Sequence, residues 1–138
     1  MSTTYFIGFV DGASHCTQNL DSSAWALYSP NYSMLWQDKV CIGPATNNQA
    51  EYAAVTRLLA DVVRMGIRNL QVHLDSQIIV VQLNGFYTIC NNILRCSYLQ
   101  VRLPCRHFDT ITFVHIPRSD NALVDHLANQ LLDWNLLH

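Results

Sequence analysis

The sequence contains very little glutamate or lysine. Among 138 residues there is one glutamate, Glu51, and one lysine, Lys39. Charged residues make up 13% of the chain and the formal net charge is -2, so the strongly basic composition common in nucleic-acid-binding domains is absent. This weakens nucleic-acid binding as a first expectation without excluding it. Because glutamate is a good helix former, the presence of only one needs a specific explanation.

Paired cysteines and long apolar runs are also missing. The five cysteines are odd in number and form no C-x-x-C pair, which argues against a disulfide framework and a zinc ribbon. No apolar run reaches the roughly 18 residues of a membrane span, and residues 1–5 lack the features of a secretory signal. We therefore expect reduced thiols, no membrane partner, and an intracellular protein of the cytoplasm or nucleus.

The composition fits one domain. Half of the residues are apolar, which is enough for a full core, and no repeat, linker or low-complexity tract is visible. We expect residues 1–138 to form a single domain, either a free-standing monomer or a piece of a longer polypeptide.

Apolar runs and turn residues predict three strands followed by alternating helices and strands. The predicted strands cover residues 5–10, 24–28, 34–42, 70–74 and 111–116, and the predicted helices 47–65, 76–84, 87–103 and 121–136. The first strand should stop at a turn formed by Asp11 and Gly12, and Pro104 should end the third helix. This order indicates a mixed α/β sheet with helices on its faces.

Four acidic residues converge in this arrangement. Asp11 and Asp75 each end a strand, and the two strands should be parallel neighbours. Glu51 faces the sheet from the connecting helix, and Asp125 borders the packed face of the last helix. Taken singly, Asp11 is more often a turn former, Asp75 a helix cap and Asp125 an ion-pair partner. Their conjunction favours a shared site.

Such a cluster requires a cation, because like charges in a partly buried site destabilise the fold. The ligands are all oxygen, which suits Mg²⁺ or Mn²⁺ rather than zinc. Two ions about 3.5 to 4 Å apart would suit phosphodiester hydrolysis.

Four segments together resemble the type 1 ribonuclease H family over nearly the whole chain. They are F-V-D-G-A-S at 9–14, T-N-N-Q-A-E at 46–51, L-D-S-Q at 74–77 and N-A-L-V-D at 121–125. The resemblance implies a five-stranded sheet of order 3-2-1-4-5 with helices on both faces. It also implies endonucleolytic hydrolysis of the RNA strand of RNA/DNA hybrids by two metal ions, Mg²⁺ or Mn²⁺, bound together with substrate.

The resemblance also assigns roles to residues. The metal-binding, catalytic carboxylates would be Asp11, Glu51, Asp75 and Asp125. Substrate contacts would come from Gly12, Ser14, Thr46, Asn47, Asn48, Gln49, Gln77 and Asn121. Amides suit the reading of RNA 2′-hydroxyls, because each offers donors and an acceptor.

The connection before the last helix departs from the pattern of many family members, which carry a histidine on a flexible loop there. Here residues 117–120 make a short connection, and V-H-I-P places His115 inside a strand. The form resembles archaeal-type, plant and retroelement members, in which Arg118 would lie near the scissile phosphate as a catalytic residue.

The other arginines considered are interpreted as surface residues without a catalytic role. Arg95 and Arg102 share a helix face, which we interpret as exposed to solvent. The alternative interpretation is that these arginines bind the DNA strand. Arg57, Arg64 and Arg68 form a stripe interleaved with Asp61, which predicts surface ion pairs.

Two other functions compete with an active ribonuclease H. One is a catalytically silent module of the same fold that binds nucleic acid or serves a structural role, which the intact carboxylates argue against. The other is a 3′-5′ exonuclease of a related fold, which would need an acid where Ala13 stands. The cellular substrate, the preference between Mg²⁺ and Mn²⁺, and the roles of His115 and Arg118 stay open.

Overall fold

The computed structural model describes residues 4–15, 20–43, 45–85 and 92–122, with backbone alone at 13–15 and 20. The strands are β1 (Phe6–His15), β2 (Leu20–Tyr28), β3 (Met34–Cys41), β4 (Asn69–Leu74) and β5 (Thr110–His115). The α-helices in the described ranges are α1 (Asn47–Arg64), α2 (Gln77–Leu83) and α3 (Asn92–Cys105), and a 3₁₀ turn covers Arg118–Asn121. Predicted helical residues at 87–91 and 123–136 lie outside these ranges.

The sheet has the order β3-β2-β1-β4-β5, as the resemblance implied. β2 pairs antiparallel with both β1 and β3, and the β2–β3 hairpin was predicted from its turn residues. β4 pairs in parallel with β1 and with β5, which requires helical connections between these strands. The predicted fold class is confirmed.

The prediction that β1 stops at Asp11 is wrong. Asp11 pairs with Ala24 and Gly12 with Ser23, so the antiparallel ladder with β2 continues. The parallel ladder with β4, however, ends earlier, at the pair Phe9 and His73. β2 supplies partners that local sequence does not reveal, so Asp11 stands inside one ladder and beyond the end of the other.

Helix α1 packs across the sheet along the predicted apolar stripe. Val55, Leu58, Leu59 and Val62 are fully buried. The helix begins with a capping box and ends before Gly66, whose φ of 75° suits a residue without a Cβ.

The far end of α1 is tied to the sheet by a buried acid. Asp61 accepts hydrogen bonds from the indole nitrogens of Trp25, at 2.7 Å, and Trp36, at 3.0 Å. It also forms an ion pair with Arg64. The predicted ion pair with Arg64 is therefore present, but Asp61 itself is buried rather than on the surface, because two tryptophans from neighbouring strands enclose it.

Helix α3 runs past Pro104, contrary to the prediction that it ends there. A proline in the last turn removes only one hydrogen bond, and buried Val101 and Phe108 hold the turn in place. Arg102 on this helix is half-buried, donates from Nε to the Tyr98 hydroxyl at 3.0 Å and packs over the Tyr98 ring. A solvated face is therefore the wrong interpretation for Arg102.

The sequence predicted neither disulfide bonds nor membrane-spanning helices. The described cysteines Cys41, Cys96 and Cys105 form no disulfide bond with one another. Within the described ranges, no helix combines the length and apolarity that a membrane crossing needs.

Candidate active site

The site lies where β1 and β4 separate. Asp11 lies beyond the last β1–β4 pair and is 4% exposed, and Asp75 follows the last residue of β4. Since β1 and β4 are parallel, their carboxyl ends meet at one edge of the sheet, which brings the two aspartates together.

Glu51 reaches the same edge from the first half of α1. Its side chain is 4% exposed, and Oε2 accepts a hydrogen bond from the Gly12 N–H at 2.9 Å. Oε1 has no hydrogen-bond partner among the described residues. A Cβ at Gly12 would lie 2.5 Å from the Ala50 carbonyl carbon and the Glu51 nitrogen, so glycine alone allows α1 to approach β1 this closely.

The three carboxylates form a cluster of ligand dimensions. Asp11, Glu51 and Asp75 each offer an oxygen, and these oxygens all lie within 4.8 Å of one another. The donor set is all oxygen, and the unpartnered buried Oε1 of Glu51 gives it spare capacity to accept a cation. These residues therefore fit a hard divalent ion. Asp125, the fourth predicted ligand, lies outside the described residues.

The electrostatics of the cluster show that it is short of positive charge. Burial raises the pKa of Glu51 to about 8, and the negative charge of Asp75 adds to the rise. The Gly12 N–H, a hydrogen bond with the Asp11 side chain and the positive charge of Arg118 act in the opposite direction. The raised pKa is that of a carboxylate whose charged form is under-stabilised without a bound cation.

Asn121, in the 3₁₀ turn, forms hydrogen bonds beside the carboxylate cluster. It is 1% exposed, and its Nδ2 donates to the Val10 carbonyl at 2.8 Å and to Asp75 Oδ2 at 3.3 Å. The 3₁₀ turn is thereby tied to β1 and to the residue after β4. Asn121 thus contacts a candidate ligand, while its predicted contact with substrate stays a prediction.

A cleft opens over the carboxylates. Its volume is about 220 Å³. Its lining residues are Gly12, Asn47, Asn48, Glu51, Asp75, Ser76 and Arg118. The predicted catalytic arginine and two predicted substrate-reading asparagines therefore share one cleft with two of the acids. Ser76 was not predicted, although its place directly after Asp75 was a signal.

Other predicted contacts lie close to this cleft. Thr46 and Gln49 form the capping box of α1, in which the Thr46 N–H donates to Gln49 Oε1 at 2.7 Å. Gln77 is exposed at the start of α2. The side chain of Ser14 lies outside the described residues. His115 is the last residue of β5, as predicted, and is not among the cleft-lining residues.

The sheet order and the acidic edge together define a domain of the ribonuclease H fold. A family model described as reverse transcriptase-like matches residues 9–131, which is most of the chain. The chain belongs to this family. The resemblance to type 1 ribonucleases H is thereby confirmed.

Curated relatives are longer than this chain. Ribonuclease HI of Halobacterium salinarum is 33% identical over 125 residues, which cover 91% of this chain and 63% of the relative. A bifunctional protein of Mycobacterium tuberculosis is 34% identical over 101 residues, 73% of this chain and 28% of that protein. The chain thus spans less than two thirds of the curated relatives it matches.

Solved structures agree with these relatives. The crystal structure of the Halobacterium salinarum RNase H1 has a TM-score of 0.88 at 32% identity, covering 94% of this chain and 98% of that one. The N-terminal RNase H domain of the Mycobacterium tuberculosis protein has a TM-score of 0.89 at 29% identity, covering 95% of each chain. An RNase H1 from compost, crystallised with an RNA/DNA hybrid, has a TM-score of 0.88 at 28% identity, covering 95% and 99%.

Proposed function

We propose that the protein is a metal-dependent endoribonuclease that hydrolyses the RNA strand of RNA/DNA hybrids. The observation that carries this proposal is the cluster of Asp11, Glu51 and Asp75 beneath a cleft that Asn47 and Asn48 also line. Acids of this kind serve phosphodiester hydrolysis, and amides beside them serve recognition of the RNA strand. Relatives named ribonuclease H, one of them crystallised with a hybrid, support the same conclusion.

The cofactor in this proposal is Mg²⁺, with Mn²⁺ as a substitute, and two ions are held when substrate is present. Asp11, Glu51 and Asp75 would hold the metal, and Asp125 would complete the set. When bound, the metal supplies activation of water and stabilisation of charge on phosphate oxygens. The chain contributes the buried carboxylates that select a hard cation and a cleft that admits a phosphate.

Recognition of the hybrid is assigned to the start of α1. The side chains of Asn47 and Asn48 are at least partly exposed where the helix begins, and each can both donate to and accept from a 2′-hydroxyl. Gln49 retains its Nε2 donor, since the capping box engages only its oxygen. We further assign contacts to Gly12, Ser14, Thr46, Gln77 and Asn121 as the resemblance implies.

Arg118 is the catalytic cation in this proposal. It is exposed, lines the cleft, and its charge acts on Glu51. A guanidinium there can fork onto two oxygens of the scissile phosphate, whereas His115, the last residue of β5, does not line the cleft.

The protein works in this proposal as a single catalytic domain, residues 1–138, monomeric or joined to a reverse transcriptase or another partner domain. Hybrids arise where genomes are copied or transcribed, so we place its action in the cytoplasm or nucleus. A catalytically silent module would have no use for Glu51, because a buried acid of raised pKa costs stability.

A cleavage assay tests the function. Labelled RNA/DNA hybrid, RNA duplex and DNA duplex are each incubated with Mg²⁺, with Mn²⁺ and with chelator. We expect internal cuts in the RNA strand of the hybrid alone, and only with metal. A folded protein that binds hybrid without cutting it under any of these conditions would instead be a silent module.

A further inference from the structure

Two buried side chains of β2, Asp21 and Ser23, hold the start of α1. Ser23 is fully buried, and its Oγ donates to the Ala50 carbonyl at 2.7 Å. Asp21 is 2% exposed, and its carboxylate accepts a hydrogen bond from the Ala45 N–H. The backbone carbonyl of Asp21 also accepts from the Ile42 N–H at 3.0 Å. Hydrogen bonds to β2 therefore hold the chain both before α1, at Ile42 and Ala45, and within its first turn, at Ala50.

These contacts flank the functional part of the helix. Ala45 directly precedes Thr46, the N-cap of α1, and Ala50 directly precedes Glu51. The turn between the two contacts contains Asn47 and Asn48.

The close approach at Gly12 completes the arrangement. Gly12 is the ladder partner of Ser23, and a Cβ at Gly12 would collide with Ala50. The first turn of α1 therefore rests on Gly12 and Ser23 while Asp21 holds the residue before it. We call Gly12, Asp21 and Ser23 the helix seat.

We propose that Asp21 and Ser23 are positioning residues for the reaction, because the helix seat sets the height and rotation of the first turn of α1 over β1. This inference rests on the proposed function and adds residues that touch neither metal nor substrate. Glu51 must place an oxygen within a few ångström of those of Asp11 and Asp75, so a small shift of the turn separates the ligands. Partners that orient metal ligands typically contribute about 10 to 100-fold in affinity or activity.

The far end of α1 offers a matched control. Asp61 is also a buried acid that joins α1 to β2, through the Trp25 indole, but it lies ten residues beyond Glu51. A general loss of stability would act equally through both ends of the helix. A positioning role belongs to the seat alone.

The experiment compares Ser23→Ala, Asp21→Ala, Asp21→Asn and Asp61→Asn with the parent. Mn²⁺ binding is measured by calorimetry without nucleic acid, and cleavage of hybrid is measured against metal concentration. Melting curves give the folded fraction of each variant. Ser23→Ala removes only a hydroxyl and leaves the Ala50 carbonyl in the helix hydrogen-bond ladder, so it should lower the melting temperature by only about 4 °C and remain folded.

We expect Ser23→Ala and Asp21→Ala to weaken Mn²⁺ binding about tenfold and to raise the metal concentration for half-maximal cleavage by the same factor. Asp21→Asn retains an acceptor oxygen for the Ala45 N–H and should stay within about twofold of the parent on the same scale. Asp61→Asn should melt at lower temperature yet bind Mn²⁺ as the parent does.

The proposal is overturned if folded Ser23→Ala binds Mn²⁺ as tightly as the parent does. It is also overturned if Asp61→Asn loses Mn²⁺ affinity in proportion to its loss of melting temperature. If Asp21→Ala fails to fold, Ser23→Ala decides the question alone. Failure of the proposed function looks different, because the parent itself would then leave the hybrid intact while the Mn²⁺ titration still compares the variants.

Discussion

The two halves of α1 each bury an acid, and the two acids have opposite surroundings. Glu51 receives the Gly12 N–H and keeps one oxygen without a partner among the described residues. Asp61 receives two indole N–H groups and forms an ion pair with Arg64. Burial alone therefore does not distinguish a functional acid from a structural one. For these two acids the supply of donors does, because a fully supplied carboxylate has no capacity left for a metal.

Glu51 has a pKa raised to about 8, first by burial and then by the negative charge of Asp75. Its burial is comparable to that of Asp61, at 4% against 7% exposed, but it faces Asp75 rather than a ring of donors. A protein tolerates such an under-supplied acid where a cation completes the site. Glu51, in the first half of α1, thus still needs a cation, whereas the hydrogen-bond donors that Asp61 needs are already supplied by the folded protein.

The largest effect should come from exchanging the functional acid. Glu51→Gln should lower hybrid cleavage on the order of 1000-fold or more, because a neutral amide is a poor ligand for a hard cation. The metal-free protein should melt no lower than the parent, since one of several mutually repelling acids is gone. Single-turnover cleavage and melting curves measure both. Asp61→Asn is the control and should retain cleavage per folded molecule. Equal losses of cleavage in Glu51→Gln and Asp61→Asn would contradict the assignment of a functional role to Glu51 and a structural role to Asp61.

The cations near each acid provide a second contrast. Arg118→Ala should lower kcat by on the order of 10 to 1000-fold at nearly unchanged melting temperature, and Arg118→Lys should recover part of the loss. Arg64→Ala, which removes the cation beside Asp61, should leave kcat within about twofold, because that side chain is exposed and remote from the cleft. His115→Ala should also have a small effect. If His115→Ala abolishes turnover in a folded protein while Arg118→Ala remains active, the assignment of Arg118 is wrong.

Stability should respond most at the far end of the helix. Asp61→Ala leaves two indole N–H groups without their acceptor and should cost about 2 to 4 kcal/mol of unfolding free energy. Urea unfolding at neutral pH measures this. The exposed Arg68–Asp109 pair serves as control, and Asp109→Ala should cost only about 0 to 1 kcal/mol. A loss for Asp61→Ala no greater than that of the control would mean that the tryptophan contacts contribute nothing.

The pH dependence of stability should distinguish Glu51 in a subtler way. Its folded-state pKa of about 8 lies above the ordinary 4.5, so the native state binds more protons than the unfolded state between these values. Stability of the metal-free protein from this source is full below pH 4.5 and is lost as pH rises to about 8. Relative to Glu51→Gln, the parent should therefore lose on the order of a few kcal/mol across this window. Saturating Mg²⁺ should remove the loss, because it favours the ionised form. A flat difference between the two proteins would contradict the raised pKa.

Much of the fold follows from local patterns. The apolar stripe of α1, its capping box and the glycine after it are all readable in order along the chain, and so is the hairpin of β2 and β3. The sheet order followed from the resemblance, which depends on four short motifs rather than on any single residue. The end of β1 was missed because its continuation depends on pairing with β2, and the end of α3 because buried neighbours outweigh one proline.

The sequence by itself determined that Glu51 is exceptional, since it is the one glutamate and faces inward at helical spacing. It did not separate Asp61 from a surface acid, nor did it single out Asp21 and Ser23. Those distinctions come from donors and acceptors far along the chain. The Trp25 indole lies 36 residues from Asp61, and the Gly12 N–H lies 39 from Glu51. Periodicity reports which side of a helix faces inward, but only tertiary packing decides what that side meets and whether a buried charge is left for a metal to neutralise.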